Sequence, residues 1–524
     1  MIQTNNSMTK KKMLGQYFTP EIITAFMVGL IEHGKDCSVF EPSAGEGVFI
    51  KSLEKNGFKD IKAYELDSTL KNNSGKVIEY RNTLCERPTN KFDVIIGNPP
   101  YVRWKNIDSV TRNKLLSDSY WGNKINGLND LLYPFILLSI DLLKENGELI
   151  FITPNFWTST LHAKAIRKKI LEEGDLTHFI NFEEMKIFDD VSSNLLIFRF
   201  IKGKKDRKMK VVKVTRKSKI KESTIIEIEG ILSSLNENSE CSFDGYESFI
   251  IDQFTSLDSW TPTHPLINPS IKNIEKGANS LLGEIMDIGN GMVSGLDEAF
   301  KIKSNSSLNE KEKSVLIKVA KAKNLHKYFI ENYEKYIFLN DLNLQEKELD
   351  DYPYLKNQLS SYKDSLKKRY GYNKDINWWE WVFLRNRNLI EKKNKIVVPC
   401  KERFDGKGFV RFSLLEGDYY CTQDVTSLVK KEGIKEDLKY FLAILNSDLI
   451  FNWLKHRSLR RGGVLEFSEK PLSLIPIKKI DWQNKEDISL YNKILEITDK
   501  IITEKNQNYS SKLNELINQL YKVN

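Results

Sequence analysis

Apolar positions between residues 19 and 201 follow two alternating patterns, short continuous runs and apolar residues at helical spacing. The helical pattern covers 19–32, 48–57 and 130–147. The short runs, each predicted to be a strand, lie in 37–47 (where the strand leads into a loop of small residues), 60–67, 91–101, 148–154, 178–185 and 194–201. Because strands and helices alternate with short connections, this part of the chain is predicted to be α/β, a doubly wound Rossmann-like domain.

The second half of the chain has a different pattern. Residues 231–247 are polar and lack a clear period, which is typical of a linker. Beyond them lies a mixture of strand and helix patterns rich in Trp, Tyr, Lys and Asn, and residues 483–524 show the spacing of two helices. We therefore expect a catalytic domain at 1–235, an α+β domain at 245–480 and a helical tail at 481–524 that packs on one of them.

Composition narrows the class of protein. Hydrophobic residues make up 40% and charged residues 29% of the 524 positions, and no apolar run is long enough for a membrane span or a secretory signal. The five cysteines and six histidines are scattered, so neither a disulfide framework nor a metal site is predicted. The simplest expectation is a cytoplasmic protein with no membrane partner and no metal.

Positive charge is concentrated in two segments, although the net charge is only +9. Residues 202–222 contain 11 basic and 2 acidic side chains, and residues 363–411 contain 14 basic and 6 acidic ones. Clusters of this kind suit a polyanionic partner such as nucleic acid. Solvated surface strands and helices are the alternative for either cluster taken alone.

Three loops are expected at the carboxyl ends of the predicted parallel strands, where open α/β sheets bind ligands. The first, FEPSAGEGVF (40–49), passes from Glu41 into a run of small residues, and the second follows Glu65 at the end of the next strand. Neither GxGxxG nor a P-loop lysine is present, and a carboxylate at Glu41 would repel phosphate but attract a cation. The loops therefore indicate S-adenosylmethionine (AdoMet) rather than a dinucleotide.

The third loop is NPPY, Asn98 to Tyr101, directly after the strand pattern FDVIIG. An aromatic exocyclic amine is a weak nucleophile, and two acceptors on its N–H groups would hold it pyramidal. The Asn98 side-chain oxygen and the Pro99 carbonyl can be those acceptors, Pro100 fixes the turn, and Tyr101 can stack on the base. The alternative is a proline-rich turn whose asparagine caps local backbone.

These motifs, in this order, resemble the gamma group of N6-adenine DNA methyltransferases, the TaqI-like enzymes, which include type II modification enzymes. GQYFTP (15–20) resembles their first motif, and MKIFDDVSSNLLIFRF (185–200) resembles a late one. The resemblance implies base flipping, with stacking of the target adenine by Tyr101 and Phe188. It also implies the following AdoMet contacts: Thr19, Glu41, Ser43, Gly45, Glu65, Asn82 and Pro100. Asn82 departs from the pattern, since the family usually has an acidic residue there.

The C-terminal half resembles the DNA-recognition domain of the same family, at 283–302, 438–458 and 473–477. Two stretches, 367–388 and 456–464, place basic residues beside aromatic residues or glycines. They supply the candidate DNA contacts Lys368, Arg369, Arg385, Arg387, Arg457, Arg460 and Arg461. Trp378, Trp379 and Trp381 are expected in the core rather than on a stacking surface.

Only 14 residues precede the first motif, and no nuclease motif is evident, so a stand-alone methyltransferase is expected rather than a combined restriction-modification polypeptide. Any cognate restriction endonuclease would then be a separate chain. The partner predicted for this chain is double-stranded DNA, bound by a monomer. Three alternatives stay open from the sequence: RNA adenine N6, a protein glutamine side chain, or a DNA specificity protein without catalysis.

Overall fold

A ten-stranded sheet forms the centre of the first half of the chain. In the computed structural model the residues described are 15–124, 130–188, 194–236, 241–243, 245–257, 259–302, 308–369, 376–404, 409–458, 460–461 and 463–523. The chain divides into two compact units, Met1–Ile267 and Asn268–Asn524.

The first unit contains strands β1 (Val39–Glu41), β2 (Ile61–Glu65), β3 (Glu79–Tyr80), β4 (Phe92–Gly97), β5 (Leu143–Pro154), β6 (Gly174–Asn181), β7 (Leu195–Lys202), β8 (Met209–Val214), β9 (Cys241–Phe243) and β10 (Tyr246–Ile251). Its helices are α1 (Glu21–Gly29), α2 (Val48–Lys55), α3 (Ser109–Ser117), α4 (Leu132–Leu142), α5 (Lys164–Glu173) and α6 (Glu222–Ser234). The strand order is β3-β2-β1-β4-β5-β7-β6-β8-β10-β9. The first five strands in this order are parallel to one another, and β7 is antiparallel to both of its neighbours, β5 and β6.

Helices cover both faces of this sheet, because its strands are apolar on both sides. Ile95 packs into one buried cluster together with Phe135 and Ile136 of α4. Its neighbours Val94 and Ile96 pack into a second cluster that contains residues of α1 and α2. The alternation of side chains along a strand thus produces three layers. The predicted Rossmann-like fold is confirmed.

The strand order reverses between β1 and β4, which are adjacent although β2 and β3 lie between them in sequence. In such sheets a crevice opens beyond the carboxyl ends of the two strands at the reversal. The loops after Glu41 and Gly97 leave the sheet at this point, and the loop after Glu65 leaves it one strand away. The topology therefore places the predicted motifs at one edge.

The sheet extends further than the apolar pattern suggested. Residues 209–214, inside the basic segment 202–222, form β8, and Lys213 is buried beside Glu247. The polar segment 231–247 was expected to be a linker, but it contains the end of α6, β9 and the start of β10, which pairs with β8. The apolar side chains of β8 and β10 pack in the two buried clusters, and the first unit continues to Ile267.

The second unit is α+β and is built around small sheets. Its strands are β11 (Ser280–Leu281), β12 (Met286–Asn290), β13 (Leu316–Ala320), β14 (Glu334–Ile337), β15 (Asn394–Pro399), β16 (Lys401–Arg403), β17 (Ser413–Glu416), β18 (Tyr419–Cys421), β19 (Val425–Lys430), β20 (Arg460–Arg461), β21 (Val464–Glu466) and β22 (Pro476–Ile477). The four-stranded sheet has the order β12-β19-β15-β17. Its helices are α7 (Asn268–Gly277), α8 (Leu282–Ile285), α9 (Asp297–Phe300), α10 (Glu310–Ser314), α11 (Pro353–Ser360), α12 (Lys363–Lys367), α13 (Arg387–Ile390), α14 (Leu438–Leu445), α15 (Asp448–Arg457), α16 (Glu469–Ser473), α17 (Lys485–Glu504) and α18 (Ser510–Tyr521).

The last two helices, α17 and α18, belong to the second unit. The Tyr491 hydroxyl of α17 accepts a hydrogen bond from the Asp437 N–H at 3.0 Å, and the Tyr521 hydroxyl of α18 accepts one from the Lys478 N–H at 3.0 Å. Across the residues described, no helix has the length and apolar character needed to cross a membrane. In the same set, no group of three or more His, Cys, Asp or Glu side chains could hold a metal ion.

Candidate active site

Asn98 follows β4 directly, and its side-chain amide is held by the N-terminal loop. The Asn98 Nδ2 donates to the Tyr17 carbonyl at 3.0 Å and to the Thr19 hydroxyl at 3.1 Å. These two bonds use both N–H groups of the amide and so determine which way it faces. The side-chain oxygen, Oδ1, is thereby directed away from the loop and accepts a hydrogen bond from the Tyr101 hydroxyl.

Tyr101 contacts both Asn98 and a cluster of aromatic rings. Its hydroxyl lies 3.2 Å from the Ile152 carbonyl, and burial raises the pKa of the phenol well above its usual range. The Tyr101 ring stacks on the ring of Tyr17, with centroids 5.4 Å apart and planes inclined by 27°. The Tyr17 ring also contacts Phe188, at a centroid distance of 6.0 Å. Phe188 is buried, and the Tyr17 ring contacts both aromatic residues predicted to stack the target base.

Glycine at position 15 allows the N-terminal loop to lie directly on the NPPY segment. Gly15 has a φ of +63°, and a Cβ there would lie 2.7 Å from Val102 Cγ2 and 2.9 Å from the Tyr101 nitrogen. Any larger residue would push the loop away. The first motif and the NPPY motif are therefore packed as one structure.

The loop after β1 is tied to the ends of the neighbouring strands. The Gly45 N–H donates to Glu65 Oε2 at 2.8 Å, and the Asp67 N–H donates to Glu65 Oε1 at 2.8 Å. The Ser43 hydroxyl donates to the Asn98 main-chain carbonyl at 3.1 Å. A single hydrogen-bond network thus fixes the three predicted loops relative to one another.

A cavity of about 190 Å³ lies between these loops. Of the residues predicted to bind cofactor or substrate, Ser43, Gly45, Glu65, Asn82, Asn98 and Pro100 line it. The remaining predicted residues are not among the lining residues: Thr19, Glu41, Pro99, Tyr101 and Phe188. Of these, Thr19, Glu41, Pro99 and Phe188 are buried. The wall also contains residues that the sequence analysis did not single out: Gln16, Tyr17, Phe18, Leu66, Arg81, Thr83, Leu84, Asn106, Ile107, Asp108, Thr111, Leu131 and Phe135.

The wall around Asn82 is built by the start of α3. The Asn82 Oδ1 accepts from the Leu84 N–H at 3.2 Å, and its Nδ2 donates to the Thr111 hydroxyl at 3.4 Å. The Asp108 carboxylate caps the helix by accepting from the Thr111 N–H at 2.8 Å. An aspartate before a helix can be recognised in sequence, but only the fold shows that this cap borders the cavity.

Buried carboxylates give the site its electrostatic character. Glu41 is 1% exposed, and its Oε2 has no hydrogen-bond partner among the described residues. Burial and the neighbouring Glu65 carboxylate raise the pKa of Glu41 well above its usual range, and burial also raises the pKa of Glu65. Burial raises the pKa of Asp130, two residues before α4, to about 6. A buried carboxylate oxygen without a partner suits a cationic ligand.

The candidate DNA contacts of the second unit differ in whether their side chains already bind other groups of the protein. Lys368 is exposed. Arg369 donates to the carbonyls of Leu366, Ser294, Trp378 and Glu380, which makes it a structural support of the loop around it. Its role as a DNA contact is therefore not supported, because the fold satisfies its donors with backbone.

The other predicted arginines are also partly engaged. Arg385 donates through Nε to the Gly291 carbonyl at 2.9 Å. Arg387 forms a two-point ion pair with Asp341 and a second pair with Glu391. Arg457 Nε lies 3.1 Å from Glu275 Oε1.

The side chains of Arg460 and Arg461 lie outside the described residues, although their backbone forms β20. The three tryptophans Trp378, Trp379 and Trp381 are buried, as predicted.

Comparison with known families matches both halves of the chain. Residues 9–188 match the Eco57I restriction-modification methylase family, and residues 317–477 match the TaqI-like C-terminal specificity domain. The first match contains the N-terminal loop, the cofactor loops, NPPY and Phe188. The second covers most of the small sheets of the second unit.

Two curated relatives are similar over almost their whole length. The chain is 39% identical to the Type II methyltransferase M.HindII of Haemophilus influenzae over 517 residues, covering 95% of each chain. It is 38% identical to the Type II methyltransferase M.HincII of Haemophilus influenzae over 500 residues, again covering 95% of each. The Type II methyltransferase M.MjaIV of Methanocaldococcus jannaschii is 34% identical over 215 residues, which is 40% of this chain and 70% of that protein.

Among solved structures, the fold is similar to that of the Type IIL restriction-modification enzyme MmeI in complex with DNA. The TM-score is 0.61 at 11% identity, with 96% of this chain and 72% of the other covered. At this identity the likeness concerns the fold alone.

Proposed function

The chain belongs to the type II DNA methyltransferases of restriction-modification systems, and we propose that it methylates N6 of an adenine flipped out of double-stranded DNA. The methyl donor of the chain is AdoMet. We assign catalysis to the first unit and recognition of the DNA sequence to the second, which contains the specificity-domain match. In this assignment a separate chain supplies any cognate endonuclease, and the methyltransferase acts as a monomer.

The orientation of the Asn98 side chain supports the proposal most directly. Tyr17 and Thr19 take both N–H groups of the amide, so Asn98 offers its oxygen to a substrate. An amino group can give one hydrogen to Asn98 Oδ1 and the other to the Pro99 carbonyl, which keeps its lone pair available for attack. The lone pair of the neutral amine attacks the methyl group directly, so the chemistry requires no general base before methyl transfer, and one N6 proton is lost after it. Positioning and charge placement supply the rate enhancement.

The cofactor loops have the donors and acceptors that AdoMet needs. Bound AdoMet supplies an electrophilic methyl group on a sulfonium. The unpaired, buried oxygen of Glu41 suits the positive charge of such a ligand, and Glu65 at the end of β2 suits ribose hydroxyls. Ser43, Gly45 and Pro100 line the remaining wall, and Asn82 lies at the end bordered by α3.

An adenine within a duplex cannot reach this cavity, so the base must leave the stack. Tyr101 and Phe188 are the aromatic residues that we assign to stacking on the flipped base. A base with two stacking partners and two acceptors for its amine is fixed in plane and position. Lys368, Arg385, Arg387, Arg457, Arg460 and Arg461 stay candidates for contacts that hold the surrounding duplex.

The comparisons and the geometry of the site argue against the three alternatives that the sequence left open. RNA adenine and protein glutamine are substrates with similar amide or amine chemistry, but the matched specificity domain and the two Type II relatives favour DNA. A specificity protein without catalysis would have no use for the constrained Asn98 amide.

Long-read sequencing that detects modified bases tests the proposal. The wild type and Asn98→Ala are expressed in cells without other adenine methylation, and genomic DNA is sequenced. N6-methyladenine in one short motif, absent with Asn98→Ala although this variant still binds DNA, is the expected result. N4-methylcytosine, or unmodified DNA from a folded wild-type protein, would overturn it.

A further inference from the structure

The ring of Tyr17 occupies a position against both aromatic residues assigned to the target base. It stacks on Tyr101 with centroids 5.4 Å apart, and it contacts Phe188 at 6.0 Å with planes inclined by 30°. Stacked aromatic pairs have centroid distances of about 4.5–7 Å. The Tyr17 ring therefore covers part of the aromatic surface assigned to the flipped adenine.

The backbone of Tyr17 is anchored independently of its ring. The Tyr17 carbonyl accepts from Asn98 Nδ2, and the preceding turn is packed on Tyr101 and Val102 through Gly15. Thr19, two residues later, holds the other N–H of Asn98. The loop can therefore keep Asn98 oriented while the side chain of Tyr17 changes rotamer, because the hydrogen bond uses the main chain.

We propose that the Tyr17 ring takes the place of the target base, covering the aromatic site until a flipped adenine displaces it. The proposal rests on the function proposed above. In the absence of DNA the Tyr17 ring shields the faces of Tyr101 and Phe188 from water. On base entry, stacking of the adenine on Tyr101 replaces stacking of Tyr17.

The proposed exchange predicts the direction in which DNA binding changes when the Tyr17 ring is removed, and other roles of the ring predict the opposite direction. A ring that competes with the base weakens base entry, so its removal should strengthen binding of the flipped base. From the strength of one aromatic pair, the gain is about two- to tenfold. A ring that forms a permanent wall of the site would have the opposite effect, since its removal would delete a contact to the base.

The experiment uses a duplex oligonucleotide that carries the motif found by sequencing, with 2-aminopurine in place of the methylated adenine. Fluorescence of this base rises when it leaves the stack, and anisotropy of a second dye gives the dissociation constant. Tyr17→Ala removes the competing ring, and Tyr17→Phe retains it. Tyr17→Leu, which keeps apolar bulk but no flat face, replaces Tyr17→Ala if thermal unfolding shows that the alanine variant is not folded.

We expect Tyr17→Ala or Tyr17→Leu to give higher 2-aminopurine fluorescence at saturating protein and a two- to tenfold lower dissociation constant, with Tyr17→Phe equal to wild type. Unchanged or weaker binding by the folded variants would overturn the placement of Tyr17. Failure of the proposed function gives a different result, because the wild type itself would then leave the 2-aminopurine signal at the value of free duplex or methylate no motif.

Discussion

The Asn98 side-chain nitrogen donates to the Thr19 hydroxyl at 3.1 Å, across 79 residues of sequence. Thr19 precedes the first helix, and Asn98 directly follows the fourth strand. The bond fixes the orientation of the Asn98 amide, because the second N–H is bound by the Tyr17 carbonyl. In the proposed mechanism Thr19 would therefore act on the substrate through Asn98, in addition to the AdoMet contact that the family resemblance assigns to it.

Thr19→Val should lower kcat by about tenfold, since it keeps the shape of the side chain but removes the acceptor for Asn98. Thr19→Ser retains the hydroxyl and should stay close to wild type. Single-turnover methylation gives the rate, and calorimetry gives the AdoMet dissociation constant. A variant with weaker AdoMet binding and an unchanged rate would show that Thr19 serves the cofactor instead.

Tyr101 has separable ring and hydroxyl functions. Its hydroxyl donates to the same Asn98 oxygen that the target amine needs, so Tyr101→Phe leaves that acceptor free. We expect Tyr101→Phe to change kcat/KM for DNA by less than about threefold, whereas Tyr101→Ala loses about tenfold or more through lost stacking. Steady-state methylation of the target duplex measures both. A larger loss for Tyr101→Phe than for Tyr101→Ala would contradict this division.

Glu41 makes the stability of the cofactor-free protein depend on pH. Burial and Glu65 raise its pKa above the ordinary value of 4.5, so the folded state binds more protons than the unfolded state in the pH range above that value. Stability is then lost as pH rises through this range. Glu41→Gln removes the charge, and the melting temperature of the variant relative to wild type should increase from pH 5 to pH 8. Differential scanning calorimetry without AdoMet measures this difference.

The same substitution should weaken the binding of AdoMet by roughly 10- to 100-fold at pH 8, because it removes a charge-assisted contact. Calorimetric titration in buffers of different ionisation enthalpy should also show proton release when the wild type binds AdoMet, and less release for Glu41→Gln. Equal AdoMet affinity of the two proteins would show that the Glu41 carboxylate does not face the cationic part of the cofactor.

Lys368 and Arg369 are adjacent, and we predict that replacing Arg369 affects stability whereas replacing Lys368 affects DNA binding. Arg369→Met should lower the melting temperature by roughly 5 °C or more, because four backbone carbonyls lose their donors. Lys368→Met should leave the melting temperature unchanged. If Lys368 contacts a phosphate, its loss should reduce the slope of log affinity against log salt by about 1. Thermal unfolding and DNA titration at several salt concentrations compare the pair.

Patterns in the sequence were sufficient to predict the fold class of the first unit and the strands that carry its motifs. Buried strands such as 92–97 appear as apolar runs because both faces of the sheet are covered, and each run ends where a polar group or small residue appears. Prediction was less successful for β8 and β10, because β8 lies within a strongly basic segment and β10 follows a polar one, although the apolar side chains of both strands pack in the buried clusters. The linker expected at 231–247 was wrong for this reason.

The candidate site was predicted in part. Asn98, Glu65 and Gly45 could be recognised because the carboxyl ends of parallel strands meet at one edge, whatever the details of packing. The role of Tyr17 could not, because nothing near residue 17 indicates that its ring will meet Tyr101 and Phe188. The sequence also does not indicate that Asp108, which caps α3, borders the cavity, because only the fold brings the start of α3 to this site.

The sequence by itself determined the fold class, the position of the cofactor loops and the identity of the NPPY residues, because periodicity, turn chemistry and strand ends are local properties. Tertiary structure decided which way Asn98 faces, what covers Tyr101 and Phe188, and that Arg369 supports a loop. These depend on hydrogen bonds and contacts between segments far apart in the chain, and a side chain with several donors bonds whichever acceptors the fold brings to it.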